Sequence, residues 1–202
     1  MSRIAKLLST KFTTVDTFQV PEVPTILQLG GCKYPGLGKA SELLAFEQSI
    51  LSAQLAIEDS FLRVASSKSP SRSSVVLLDR AAFDLVSYMG DPTGGDLWTA
   101  TMHGMTPPQS ESSLGSRYDN VIFLRSAAVG TSFYTTANNH ARTETADEAR
   151  ALDAKTELVY RQRFPSDKLH FIENPPEGFD AKMQSVERCV EALVGVHFSS
   201  EL

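Results

Sequence analysis

Apolar positions recur at helical spacing in some stretches of the chain and run unbroken in others, and the two patterns alternate. From about Ser2 to Lys11, Ile4, Leu7 and Leu8 share one face and predict a helix. "VDTFQV" predicts a strand that stops at Pro21. A long helix is expected from about Ser41 to Ala65, capped by Ser41, with Leu43, Phe46, Ile50, Ile57 and Phe61 as its apolar stripe. After the solvated "SSKSPSRSS", the run "VVLLD" has the unbroken apolar character of a buried parallel strand.

The second half repeats the alternation. "AAFDLVSY" predicts a helix, followed by a loop-rich insertion over about 90–117 with one short helix around Trp98, which reads as a packing residue. "YDNVIFL" is the next buried strand, and a helix is expected from about Thr145 to Phe164. "KLHFIE" is a last strand and about Asp180 to Val194 a last helix. Strands alternating with helices predict an α/β fold with a parallel sheet in three layers, within a single domain.

Bulk properties narrow the function. The 202 residues are 42% hydrophobic and 21% charged, enough for a sizeable core. A net charge of −5 argues against non-specific binding to nucleic acid or to an anionic membrane surface. Two cysteines, Cys32 and Cys189, form no metal or disulfide framework and suit a reducing cytosol. No apolar run approaches the ~20 residues of a membrane span. The start, "MSRIAKLLSTKF", is basic and amphipathic; an ordinary first helix explains it better than a transit peptide.

One stretch imitates a phosphate loop. "GGCKYPGLGKAS" (Gly30–Ser41) follows an apolar run and precedes a helix, as G-x-x-x-x-G-K-[ST] does. Anchored on Gly38-Lys39, however, the pattern needs glycine where Lys33 stands and a hydroxyl where Ala40 stands. Pro35 also removes a backbone N–H from the would-be cradle. The stretch therefore reads as a Gly/Pro-rich turn.

In parallel α/β sheets ligands sit at the carboxyl ends of the strands. Those ends carry Glu22, then Asp79 and Arg80 with Asp84 one turn on, then Arg125. Arg142 and Arg150 lie near the start of the helix after "HARTETADEAR". Asp79 suits either a magnesium ligand or the cap of the next helix. Arg150 suits either a phosphate contact or surface pairing with its acidic neighbours. His103 and His140 have no partner pattern.

The runs "FQVPEVPTILQLGG", "LLAFEQSILSAQLAIED", "VVLLDRAAFD", "YDNVIFL" and "FYTTANNHARTETADEARALD", in this order, resemble the AAA-type P-loop domain of NadR and the TRPL-translocation-defect GTP-binding proteins. The layout is also similar to deoxynucleoside and thymidylate kinases. The resemblance implies a P-loop NTPase sheet, with Glu22 as the carboxylate of the "PE" motif and catalytic base. It implies Asp79-Arg80 as the acidic-Arg pair, with Asp79 on the metal side, and Arg142 and Arg150 as the lid and following-helix arginines. It further implies Mg2+ with GTP or ATP. Phosphoryl transfer depends mostly on positioning and charge neutralisation, so these residue types suit those roles.

The departures from that family shape the expectation. The family's phosphate loop and central first strand precede the segment that begins at Ser2, and the strand belongs between "VVLLD" and "VIFL". Glu47, followed by Gln48, stands where relatives carry a glutamine facing the substrate. The expected function is therefore a nucleotide-binding, P-loop NTPase-like protein, read as an incomplete gene product in which nucleotide binding is impaired. The alternatives are a non-catalytic interaction module with a protein partner, and a small-molecule, nucleoside-like kinase.

Overall fold

The computed structural model describes residues 2–68, 71–91, 93–131 and 145–199. The fold is mixed α/β, and the chain divides into two compact units, 1–110 and 111–202. Each unit carries its own two-stranded parallel sheet.

In the first unit, α1 (Ser2–Lys11) buries Ile4 and Leu8, four residues apart on one face, and packs on β1 (Val15–Val20). β1 pairs in parallel with β2 (Ser73–Leu78), from Val15 opposite Ser73 to Val20 opposite Leu78. At the amino ends Arg72 grips Asp16 with two hydrogen bonds, 2.7 and 3.0 Å long. At the other end Asp79 N–H donates to the Val20 carbonyl. Parallel-strand alternation then turns the backbone groups of Ser73, Val75 and Leu77 toward β1, and those of Ser74, Val76 and Leu78 toward the outer edge. That edge has no strand partner among the described residues. The "VVLL" run is consequently half-buried along its whole length, where its composition predicts full burial.

Two further departures follow the chain. Val23–Leu29 form a short helix, α2, where the sequence reads only as an apolar run before a loop. Pro24 lies in its first turn, where the missing N–H costs nothing. Its apolar residues form no inward stripe: only Val23 is buried, and Leu29 is 85% exposed. The long helix, α3, runs Ala40–Ser66 and takes no side-chain cap; Ser41 falls inside its first turn. Its buried face is Leu43, Glu47, Ile50, Leu51, Gln54, Leu55, Glu58 and Ala65; of the predicted stripe Leu43 and Ile50 lie on it, Phe46, Ile57 and Phe61 are half-buried, and three polar residues share the face.

The segment after β2 folds as α4 (Asp84–Tyr88) and α5 (Gly95–His103), and α5 packs on α3. Trp98 is a packing residue, buried with its ring centroid 6.1 Å from that of Phe83. Gly94, at φ 80°, lies against it: a Cβ there would sit 2.4 Å from the Trp98 Cβ.

The second unit begins with α6 (Glu111–Gly115), a helix the insertion gave no sign of, which buries Leu114. β3 (Val121–Leu124) pairs in parallel with β4 (Leu169–Ile172), its one strand neighbour among the described residues. α7 (Ala146–Arg163) opens with a capping box in which Thr145 and Glu148 satisfy each other's backbone N–H groups. Its far end stacks Tyr160 on Phe164 and sets Tyr160 edge-on to Phe123. The nearly buried Arg163 side chain ends the helix by pairing with Glu111 at 2.8 Å. α8 (Phe179–Ser199) completes the unit, with Val186, Val190 and Val194 buried at four-residue spacing.

Thr145→Ala removes the side-chain half of the capping box. We expect a loss of about 1 kcal/mol, read as a lower urea midpoint with an unchanged denaturant slope.

Candidate functional site

The carboxyl ends of β1 and β2 bring Glu22 and Arg80 together. Arg80 has φ 73° and is, among the described residues, the sole non-glycine residue with positive φ. For a long side chain that conformation costs about 1–3 kcal/mol and persists only where surrounding contacts hold it. Those contacts are visible. Arg80 Nε pairs with Glu22 Oε1, and Arg80 Nη1 donates to the Tyr88 hydroxyl at 2.8 Å. Thr25 donates to the other Glu22 oxygen at 2.6 Å, and Gln54 Nε2 approaches the Arg80 carbonyl at 3.4 Å. Burial works against the Arg80 charge, but Tyr88, Asp84 and Glu22 outweigh it, so its pKa is raised and it remains a cation.

Behind this pair lies the polar part of the α3 face. Gln54 donates to Glu58 Oε1 at 2.7 Å, one helical turn on, and both are nearly fully buried. Glu47 is 2% exposed, and burial raises its pKa to about 7. Tyr34, in the Gly30–Lys39 loop, donates to the Tyr88 carbonyl at 2.9 Å and sets its ring edge-on to Phe46. Burial, and then the nearby Glu47 charge, raise the Tyr34 pKa. Glu22, Arg80 and Tyr88 are thus linked side chain to side chain, Tyr34 joins them at the Tyr88 carbonyl, and Glu47 stands apart from these bonds.

The other expected residues fare differently. Asp79 is exposed and does not cap α4; Asp84 performs the local turn-holding role by accepting the Ala81 N–H at 2.8 Å. Among the described residues no group of three or more His, Cys, Asp or Glu is placed to hold a metal. One exposed carboxylate therefore fits a Mg2+ held mainly by water and phosphate oxygens, and does not fit a protein cage. Arg150 lies in the second unit, where it pairs with Asp147 and donates to the Ala128 carbonyl at 3.1 Å; the surface-pairing alternative describes it. Arg142 and His140 fall outside the described residues. Gln48 is engaged with the Ala100 carbonyl of α5, and His103 is exposed at the end of that helix.

The Gly30–Lys39 loop offers no cradle. It follows a helix, its residues are mostly exposed, and the Lys39 amine pairs with Glu42 at 3.2 Å.

The second unit has its own polar cluster at the carboxyl ends of β3 and β4. Arg125 is paired with Glu157, Asp153 and Glu173. Hydrogen bonding to Glu157 leads the rise in its pKa, and the same bond lowers that of Glu157. Asp153 also accepts the Ser126 N–H, while Asn174 donates to the Ser126 and Val129 carbonyls. Lys182 donates to the Arg125 carbonyl and to Asn174, and burial lowers its pKa. Both cations here are bonded to acceptors within the cluster, which ties down the 125–130 turn.

Sequence reasoning missed Tyr34, Tyr88, Gln54 and Glu58. The last two carried a signal: Glu47, Gln54 and Glu58 are spaced i, i+7 and i+11 on the face of Leu43, Ile50 and Leu55. Among known proteins, no family model, no curated sequence and no solved structure matches this chain.

The Glu47 shift has a stability consequence. Its folded pKa lies above the ordinary value of 4.5, so folding favours the protonated acid. That contribution is fully present below pH 4.5 and is lost as pH rises to about 7. We expect stability to fall by on the order of 3 kcal/mol across that window. Urea unfolding of Glu47→Gln should lack this fall; an identical pH slope in the variant would show that another group causes it.

Proposed function

We propose that this chain is a nucleotide-binding protein of the P-loop NTPase-like, nucleoside-kinase-like type, with its ligand at the carboxyl ends of β1 and β2. The observation that carries the reading is the Glu22–Arg80 pair, held at adjacent strand ends by a strained Arg80 backbone. Backbone strain of this kind concentrates at binding and catalytic sites. The two separate parallel pairs also suit the reading. β2 and β3 are the strands that the family layout sets beside a further central strand, and each has one strand neighbour among the described residues.

In this reading Arg80 is the anion-binding group. A permanently charged guanidinium fits phosphate oxygens in fork geometry, and a phosphate competes with Glu22 for it. Transfer of Arg80 to the ligand leaves the Glu22 carboxylate free to accept a hydroxyl proton, the role of a base in phosphoryl transfer. Asp79 would hold Mg2+, which neutralises phosphate charge when bound. The Gly30–Lys39 turn supplies no amide nest, so GTP or ATP binds weakly to the chain as it stands. Two free cysteines and a net negative charge support a cytosolic protein that does not bind nucleic acid.

The interaction-module reading has its own observation, the half-buried β2 strand whose Ser74, Val76 and Leu78 backbone groups face an edge with no strand partner among the described residues. Such an edge suits an added strand from a protein partner.

Calorimetry with Mg-GTP and Mg-ATP separates the two. We expect affinity on the order of millimolar, and at least about tenfold weaker binding for Arg80→Met, in line with a lost charge-assisted bond. Glu22→Gln should bind no more weakly than wild type, because it releases Arg80. Nucleotide binding indifferent to Arg80→Met, in a variant with a wild-type circular dichroism spectrum, would overturn the site.

A further inference from the structure

A guanidinium carries several N–H donors, and Arg80 uses few of them. Its one side-chain hydrogen bond among the described residues runs from Nη1 to the Tyr88 hydroxyl at 2.8 Å. Glu22 meets it as an ion pair at Nε, through Oε1, while the other Glu22 oxygen accepts the Thr25 hydroxyl at 2.6 Å. Nη2 makes no hydrogen bond among the described residues. The Arg80 side chain is 35% exposed, so a ligand from solvent can reach it.

Tyr88 has a donor left over as well. Arginine can only donate, so the Tyr88 hydroxyl accepts in their shared bond and keeps its own proton to give. That proton has no acceptor among the described residues. The side chain is nevertheless well placed. Tyr88 is the last residue of α4, its backbone carbonyl accepts the Tyr34 hydroxyl at 2.9 Å, and the Arg80 guanidinium carbon lies 5.7 Å from its ring centroid. Two unused donors, Arg80 Nη2 and Tyr88 O–H, therefore flank a single hydrogen bond at the strand end. The neighbouring carboxylates are engaged elsewhere: Glu22 with Arg80 Nε and Thr25, Asp84 with the Ala81 N–H.

We propose that Arg80 and Tyr88 form a two-donor clamp for one phosphate group, Nη2 donating to one of its oxygens and the Tyr88 hydroxyl to another. The clamp rests on reading the ends of β1 and β2 as a ligand site, and it adds Tyr88 to that site as a binding residue. Two donors and no free acceptor set the ligand class. A group rich in unprotonated oxygens satisfies both, whereas an ammonium or amide N–H satisfies neither. The fixed positive charge beside the hydroxyl favours phosphate further. Glu22 can keep its place at Nε while the clamp closes, so phosphate binding precedes any exchange of the ion pair.

NMR of the full chain with carbon-13 at tyrosine Cζ reads the hydroxyl directly, the Tyr88 resonance being assigned by its absence from Tyr88→Phe. Titration with inorganic pyrophosphate should move that resonance to saturation, and guanosine, which lacks phosphate, should leave it in place. Calorimetry should show pyrophosphate binding about tenfold weaker in Tyr88→Phe, the effect of losing one hydrogen bond to a charged group. The variant keeps every Arg80 donor, so a hydroxyl that only positions Arg80 would give weaker binding without movement of the wild-type resonance. GTP separates the two sources of phosphate. Tighter binding than pyrophosphate assigns the clamp to a nucleotide, equal binding assigns it to the phosphate alone, and both support it. An unmoved Tyr88 resonance, or unchanged affinity in Tyr88→Phe where Arg80→Met weakens binding, overturns the clamp and leaves the Glu22–Arg80 site standing. Binding indifferent to both variants removes that site, and the clamp with it.

Discussion

A 27-residue helix that must bury Glu47, Gln54 and Glu58 along with its leucines sets the terms for the first unit. An apolar stripe alone would seat α3 against the β1–β2 sheet in any of several rotations with similar energy. The polar residues remove that freedom, because each must find a donor, an acceptor or a proton. Gln54 and Glu58 satisfy one another and Gln54 also approaches the Arg80 carbonyl. Glu47 takes the remaining solution: burial raises its pKa to about 7, so it keeps its proton below that pH. The helix thereby holds the turn at Arg80, and that turn aims the guanidinium at Glu22.

The strained turn and the buried acid are two costs carried by one small region. Stability of a domain this size is a narrow surplus, so such costs persist where something besides folding depends on them. The same economy is absent from the second unit, where Arg125, Asp153, Glu157, Asn174 and Lys182 meet one another's bonding needs. That cluster is built for rigidity. The Glu22–Arg80 pair, reachable at the strand ends and exchangeable for an anion, is built to change partners.

Much of this was legible in the sequence, and the failures have physical causes. The strands at 15–20, 121–124 and 169–172 and the helices of α1, α3, α7 and α8 follow from period and punctuation. Glu22 and Arg80 were legible as strand-end residues, but their pairing was not, since it rests on the positive φ of Arg80 that no composition reveals. α2 is hard to read from sequence because a proline ordinarily signals a break, whereas Pro24 lies in the first turn of the helix. Full burial of "VVLL" was expected because apolar runs signal a covered strand, whereas an unpaired edge leaves them half-covered. Gln54 and Glu58 were passed over because polar residues on long helices are usually solvated. Their spacing, in register with Leu43 and Ile50, was the available clue.

The packing of the first unit requires α3 to carry its polar residues inward. Carbon-13 NMR titration of the glutamate side-chain carboxyls reads that placement at a single atom. The Glu47 resonance is expected to titrate near pH 7. A Glu47 midpoint at the ordinary value of 4.5 would place it in water and contradict the account.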